Sequence, residues 1–309
     1  MARRARGGAA IVARAALCAL APLACGSSGA EPDREFDTAV PVPAYAQNGP
    51  LVLYDEAHRN IHRISRTYGP FAELLRNDGY VVERGRRSFD AGIAENVDVL
   101  VIANALGAND RNDDHAMTDA EADSVVAWVR RGGSLLLVTD HYPTGAAVQN
   151  LAARLGVDMS EGVTEDSVRH DPRFDPSHIV FDSFPAHPAT RGLGRVLTFT
   201  GQSLGVPAGA VALLPLRQSA RDRAPAPRIE RDGGDVRVHV EYGPAVPAGG
   251  RAQAVALELG HGRVVVLGEA AMISAQLSAY DGSPFGMNVD GYDNRTFLLN
   301  IVHWLSGHG

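Results

Sequence analysis

Short apolar runs alternating with amphipathic stretches across residues 50–155 are the feature that most restricts how this chain can fold. Leu51-Val52-Leu53-Tyr54, closed by Asp55, has the length and branching of a strand buried on both faces. Gly69-Pro70 then opens a helix, with Pro suited to a first helical position and Phe71, Leu74 and Leu75 recurring on one face. Asn77-Asp78-Gly79 stops it, and residues 80–83 make a second strand. Residues 97–103 are almost wholly apolar, which predicts a third, central strand. Thr118-Asp119-Ala120-Glu121 has the form of a capping box before a helix carrying Val125, Val126, Trp128 and Val129. Gly132-Gly133 ends that helix, residues 134–138 make a fourth strand closed by Thr139-Asp140-His141, and a further helix spans roughly 144–155. This alternation predicts an α/β domain with a doubly wound, mainly parallel sheet, because the crossovers are right-handed and cover both faces.

Residues 157–250 are less regular, with a strand expected at 196–199 and an alternating run Val236-Arg237-Val238-His239-Val240. They read as an irregular insertion on the sheet, not a second domain. Residues 254–259 and 263–267 flank Gly260-His261-Gly262 and predict a C-terminal β-hairpin. Residues 294–305 form a closing amphipathic helix. One α/β domain over 50–309 follows, large enough to need no disulfide or metal to fold.

The N-terminal residues address the chain. Arg3, Arg4 and Arg6 precede an Ala- and Leu-rich stretch over 7–24 that Arg14 interrupts, too short and broken to span a bilayer. Pro22-Leu23-Ala24-Cys25-Gly26-Ser27-Ser28-Gly29 resembles a bacterial lipoprotein cleavage site followed by a tether, with Pro22 where Leu is usual. The expectation is a signal peptide over 1–24, a lipid anchor at Cys25, a linker over 25–49 and a place in the periplasm or cell envelope; conventional secretion and a misread N-terminus are the alternatives. Cys18 and Cys25 are the only cysteines, so the folded domain has no disulfide, thiolate metal site or cysteine nucleophile. Loss of residues 1–24 removes four Arg and no acid and takes the formal charge from −7 to −11. Such an acidic body argues against nucleic acid as a partner and leaves the anchor at Cys25 as the membrane contact.

In open parallel sheets ligands sit beyond the carboxyl ends of the strands. Asp55, Glu56, His58 and His62 follow the first strand and together would hold a divalent metal such as zinc, manganese or iron; alternatively Asp55 caps backbone amides in a polar loop. Asp140 and His141 follow the fourth strand as acid and base, or as a helix N-cap beside a solvated imidazole. Glu269 follows residues 263–267 at the same rim, or complements a helix dipole. Asn60, Asn104, Asn288 and Asn294 would hydrogen-bond a polar ligand, although loop Asn residues commonly serve turns. His115, His170, His178 and His187 lie in polar loops and read as solvated. No Gly-x-Ser-x-Gly elbow, phosphate loop or dinucleotide fingerprint is present.

Tyr54-Asp55-Glu56-Ala57-His58 with Asn60 and His62, and Tyr68 to Leu75, resemble a family of uncharacterised bacterial proteins with a glutamine-amidotransferase-like, flavodoxin-like fold. So do Gly268-Glu269-Ala270-Ala271-Met272 with Gln276, Gly286-Met287-Asn288, and Asp293-Asn294-Arg295 leading to Asn300 and His303-Trp304-Leu305. The resemblance covers 51–306 discontinuously and implies a fold more than an activity. It places Asp140-His141 where class I amidotransferases carry their cysteine, so glutamine amide transfer is not expected. Gly132-Gly133 leading to His141 is distantly similar to the trehalose-utilisation (ThuA-like) proteins, which implies a sugar-related ligand. Two functions stay open: a metal-assisted hydrolase or lyase acting on a carbohydrate-like or amide substrate, and a non-catalytic ligand-binding or assembly module of the cell envelope.

Overall fold

The computed structural model describes residues 29–46, 48–106, 115–232 and 235–308, without the side chains of 228–239. The expected signal peptide, Cys18 and Cys25 lie outside these residues. β1 (Leu51–Asp55), α1 (Gly69–Asn77), β2 (Val81–Gly85), β3 (Val99–Ala103), α2 (Asp119–Arg130) and β4 (Ser134–Val138) follow the expected alternation. The expected helix over 144–155 is two short ones, α3 (Thr144–Ala147) and α4 (Gln149–Arg154). Then come β5 (Val163–Glu165), β6 (Val211–Pro215), β7 (Arg221–Asp232), β8 (Asp235–Pro247), β9 (Ala252–Leu259), β10 (Gly262–Leu267) and α5 (Asn294–Ser306).

The main sheet has seven strands in the order β2-β1-β3-β4-β10-β9-β6. The first five are mutually parallel; β9 alone runs against them, pairing antiparallel with β10 on one side and with the edge strand β6 on the other, so the sheet is mixed. The expected C-terminal hairpin is β9–β10, and β10 also pairs parallel with β4, which makes it a central strand. Residues 157–250 are more ordered than their composition implies: β6 completes the sheet, and β7–β8 form a long hairpin joined by β5. The strand expected at 196–199 is the short Val196–Leu197, paired with Val180–Phe181.

Strand periodicity explains why both faces are covered. Val99, Val101 and Ala103 of β3 point into one apolar cluster with Phe71, Leu74 and Leu75 of α1 and Phe297, Ile301 and Leu305 of α5. Leu100 and Ile102 point the other way, toward Val125, Val129 and Trp128 of α2 and Leu151 of α4. Burying one such side chain contributes roughly 1.5–3 kcal/mol, so a strand apolar on both faces is held only at the centre of a layered fold. α2 carries the expected capping box, with Glu121 N–H donating to Thr118 Oγ1 (3.2 Å) and Thr118 N–H donating to Glu121 Oε2 (2.8 Å).

The expected linker over 25–49 departs most from its reading, because from Ala30 to Ala46 the chain is a strap laid on the body. Ala30–Pro32 pairs antiparallel with Ala275–Ser278, and Asn288 Nδ2 donates to both Asp33 Oδ2 (3.0 Å) and the Gln276 carbonyl (2.9 Å). At the other end Tyr45 stacks edge-on against Tyr80, and Gly79 is required there: its φ is +93°, and a Cβ would meet the Tyr45 carbonyl at 2.0 Å. Buried Asp78 ties the strap to α5, accepting from Ala44 N–H (2.8 Å) and from His303 Nε2 (2.5 Å). Asp78→Ala leaves both donors without their acceptor and is expected to cost about 3 kcal/mol in urea unfolding. It should also speed proteolysis within the strap relative to the wild type.

Candidate functional site

β1 and β3 are neighbours, yet the chain leaves them toward opposite edges of the sheet, so the crevice beyond their carboxyl ends is where such folds bind ligands. Here the loop after β1 fills that crevice. Asp55 is fully buried; its Oδ1 accepts from Ala57 N–H (3.0 Å), and both its oxygens lie 2.9 Å from His58 Nδ1. His58 Nε2 lies 3.0 Å from Glu121 Oε1, the oxygen that also accepts from Phe89 N–H (3.0 Å). Burial opposes a charge on His58, but the hydrogen bonds and charges of Asp55 and Glu121 outweigh it and raise the pKa to about 9. Burial likewise works against an ionised Glu121, and His58 with the Thr118 and Phe89 amides overcomes it, holding the carboxyl at about 2. An imidazolium with both nitrogens engaged neither binds a metal nor takes a proton from a substrate.

The other expected metal ligands turn elsewhere. Glu56 accepts from Ile64 N–H (3.2 Å) and faces Arg84 at 3.7 Å. His62 Nδ1 bonds Thr67 Oγ1 (2.8 Å), its ring stacks on Tyr68 at 4.7 Å, and burial lowers its pKa to about 4. Among the described residues no group of three or more His, Cys, Asp or Glu is placed to hold a metal ion. Asp55, Glu56, His58 and His62 therefore do not fit zinc or manganese as a set, and they order the loop.

The four asparagines separate in the same way. Asn60 Nδ2 donates to the Ala103 carbonyl (3.0 Å), and the Asn104 carbonyl accepts from Ile61 N–H (3.0 Å), which laces the first loop to the turn after β3. Asn60 Oδ1 and Asn104 Oδ1 are buried acceptors with no hydrogen-bond partner among the described residues. Asn288 clamps the strap, as described above. Asn294 is fully buried: Nδ2 donates to the Leu197 (2.7 Å) and Met272 (2.9 Å) carbonyls, and Oδ1 accepts from Leu197 N–H (3.0 Å). Asn288 and Asn294 thus serve the scaffold, where the residues alone suggested ligand contacts.

Asp140 and Glu269 end the adjacent parallel strands β4 and β10. Glu269 is wholly buried and accepts from Ala271 N–H (2.6 Å) and Met272 N–H (2.7 Å), the role of a first-turn carboxylate. Burial and the charge of Asp140 push its pKa well up. Asp140 does not cap a helix: its N–H donates to Thr144 Oγ1 (3.0 Å), and its Oδ1 accepts from His141 N–H (2.8 Å). Burial pushes the Asp140 carboxyl up to about 8 against the pull of the His141 and Ala270 amides. His141 Nδ1 lies 2.9 Å from the Tyr142 carbonyl and 3.3 Å from the Tyr242 hydroxyl, which leaves Nε2 3.7 Å from Asp140 Oδ1. Burial lowers the His141 pKa, and the Tyr142 carbonyl works against that. The side chains of Asp140 and His141 keep 19% and 23% exposure. A carboxyl that holds its proton near neutrality beside a neutral imidazole can donate and accept hydrogen bonds at one place.

Some residues that build this site were not legible beforehand. Glu121 was visible only as a cap, and Tyr242 arrives from β8 across a long stretch of chain. Gln202 belongs to no motif in the sequence; it is buried and clamps the turn, donating to Thr139 Oγ1 (2.9 Å) and the Asp140 carbonyl (2.7 Å) while accepting from Glu161 N–H (2.8 Å). Two histidines expected in solvent pack instead: His178 stacks on Phe174 at 4.7 Å, and His187 sits edge-on to Trp304. A cleft of about 440 Å³ lined by Pro188, Arg191, Asn300, His303, Trp304 and His308 lies by the C-terminal half of α5. Arg263, at the start of β10, donates to the Trp304 carbonyl, so this cleft is at the amino ends of the strands, opposite the rim.

No protein-family model and no curated protein matches the chain. Among solved structures it is similar to the mmIFT52 N-terminal domain, with 15% identity and a TM-score of 0.57 over 82% of this chain and 97% of that one. A cytoplasmic protein from Salmonella typhimurium LT2 is 11% identical, with a TM-score of 0.44 over 83% of this chain and 99% of the other. A beta-galactosidase from Rahnella sp. R3 is 10% identical, with a TM-score of 0.40 over 83% of this chain and 31% of that protein. The first of these is a likeness of fold; the other two carry no argument.

His58 yields a pH signature. Its folded pKa of about 9 lies above the ordinary 6.5, so its stabilisation is complete below pH 6.5 and is lost as pH rises through 9. The shift corresponds to about 3 kcal/mol, and the lowered pKa of Glu121 describes the same interaction, so the two are not added. In urea unfolding, the stability difference between wild type and His58→Gln should shrink by that amount from pH 6 to pH 10. A constant difference would mean His58 is not charged in the fold.

Proposed function

We propose that the chain is an exported binding or assembly module of the cell envelope, tethered at Cys25. In this reading its partly exposed Asp140-His141-Tyr242 group contacts a small polar, carbohydrate-like ligand. The observation that carries it is the internal satisfaction of the rim: Asp55, His58, His62 and Glu269 each bond to the protein itself. A catalytic base needs a lone pair within reach of its substrate. Of His58, His62 and His141, only His141 combines partial exposure with a ring nitrogen not held by a close partner. We also assign the sheet to the doubly wound, flavodoxin-like class, close to class I glutamine amidotransferases. The order of its parallel strands, 2-1-3-4-5 when numbered among themselves, and the helices on both faces support that assignment. Glutamine amide transfer is not part of the reading, since both cysteines precede the domain.

A second reading, a hydrolase or lyase without a metal at this rim, is favoured by the placing of Asp140 Oδ1 3.7 Å from His141 Nε2, where burial pushes the carboxyl pKa up. A printed glycan panel screened with the mature chain separates the two. The binding reading expects retention of one or more sugars, weakened roughly tenfold in His141→Ala for the loss of about 1.4 kcal/mol. No turnover of nitrophenyl glycosides or anilides should accompany it. Turnover by the wild type that Asp140→Asn abolishes would replace binding with catalysis, and an empty panel without turnover would leave assembly as the role.

A further inference from the structure

We propose that the turn between Ala275–Ser278 and Pro284–Gly286, with Tyr280 at its tip, is the face this protein lays on the lipid leaflet that anchors Cys25. The proposal rests on the anchor inferred above and adds to it a direct membrane contact by the folded body. The chain enters the fold at the base of this turn: Ala30 pairs with Ser278, and the Gly29 carbonyl accepts from Ala279 N–H at 2.7 Å. A Cβ on Gly29 would stand 3.3 Å from the Tyr280 ring. Between Cys25 and Gly29 the backbone can reach at most about 14 Å however it is arranged. A lipid on Cys25 therefore holds the turn within that distance of the headgroups.

The turn suits the place. Tyr280 is 87% exposed, more than any other large hydrophobic side chain described. Its ring joins an apolar body to a hydroxyl, the combination favoured at the headgroup level. One tyrosine does not hold a soluble protein on a bilayer, but a tether makes the contact intramolecular, so a weak attraction suffices. Glu31 and Asp281 are exposed beside it, which disfavours anionic headgroups and leaves the ring as the contacting group.

The test uses the full chain expressed with its leader in a lipoprotein-processing bacterium. Cys18 leaves with the leader and the Cys25 thiol is consumed by the lipid, so Ala279→Cys, exposed beside an intact Tyr280, or Val168→Cys each supplies one free thiol. Val168 is 71% exposed and lies on the insertion. Each is labelled with an environment-sensitive fluorophore in isolated membranes, and spin-labelled phosphatidylcholine is then added. The expected result is palmitate incorporation that Cys25→Ser abolishes, with quenching at position 279 about threefold stronger than at 168, as a turn lying at the interface requires. Absence of palmitate would overturn the anchor and the membrane face together. Palmitate incorporation with equal quenching at the two positions would overturn the face alone.

Discussion

His58, held between Asp55 and Glu121, is the contact on which the rim depends. It joins the end of β1 to the N-terminus of α2, elements on different sides of β3, and through Glu121 it also fixes the amide of Phe89, whose ring packs 4.7 Å from the imidazole. Charged groups this deeply buried are expensive to desolvate, and the arrangement persists because every polar atom of the imidazole finds a partner. Removing one member leaves an unpaired buried charge, so the three side chains stand or fall together.

From that tie follows the closure of the crevice beyond β1 and β3. With His58 in place, its carbonyl accepts from Leu106 N–H (3.1 Å), and Ile61 N–H reaches the Asn104 carbonyl (3.0 Å). The site that an open parallel sheet usually offers a ligand is occupied by the protein's own loop. The polar surface that stays open moves along the rim to the end of β4, where Gln202 and Thr144 brace the turn and Tyr242 covers one side of His141. The rim thus has a closed half that stabilises and an open half that can meet other molecules.

The strap obeys a related constraint. Residues 30–46 carry no apolar period, and their composition reads as a linker. Their binding is made of backbone pairing with Ala275–Ser278, the Asn288 clamp and the Asp78 acceptor, all supplied by distant parts of the chain. Asn288, Asp78 and Gly79 look like ordinary turn residues until the strap is seen against them. Glu269 and Asn294 show the same pattern, since the carboxylate or amide that suggests chemistry is held by main-chain groups nearby in space.

The sequence by itself determined the layers. Apolar runs such as 97–103 and 134–138 can be satisfied only between two covered faces, and the capping box before α2 follows from local hydrogen bonding. Cysteine placement alone also removed thiol chemistry from the domain. Tertiary structure decided the register of the edge strand β6, the strap, and above all the fate of each polar side chain at the rim. The reason is physical: hydrophobic burial is non-directional and leaves a periodic trace along the chain, whereas a hydrogen bond depends on tenths of an ångström between groups far apart in sequence. His58 and His141 stand alike in the sequence, each near an aspartate beyond a strand. The bonds of Asp55 and Glu121 to its two ring nitrogens make the first a buried structural cation, whereas His141 keeps Nε2 3.7 Å from Asp140 and stays partly open to a partner.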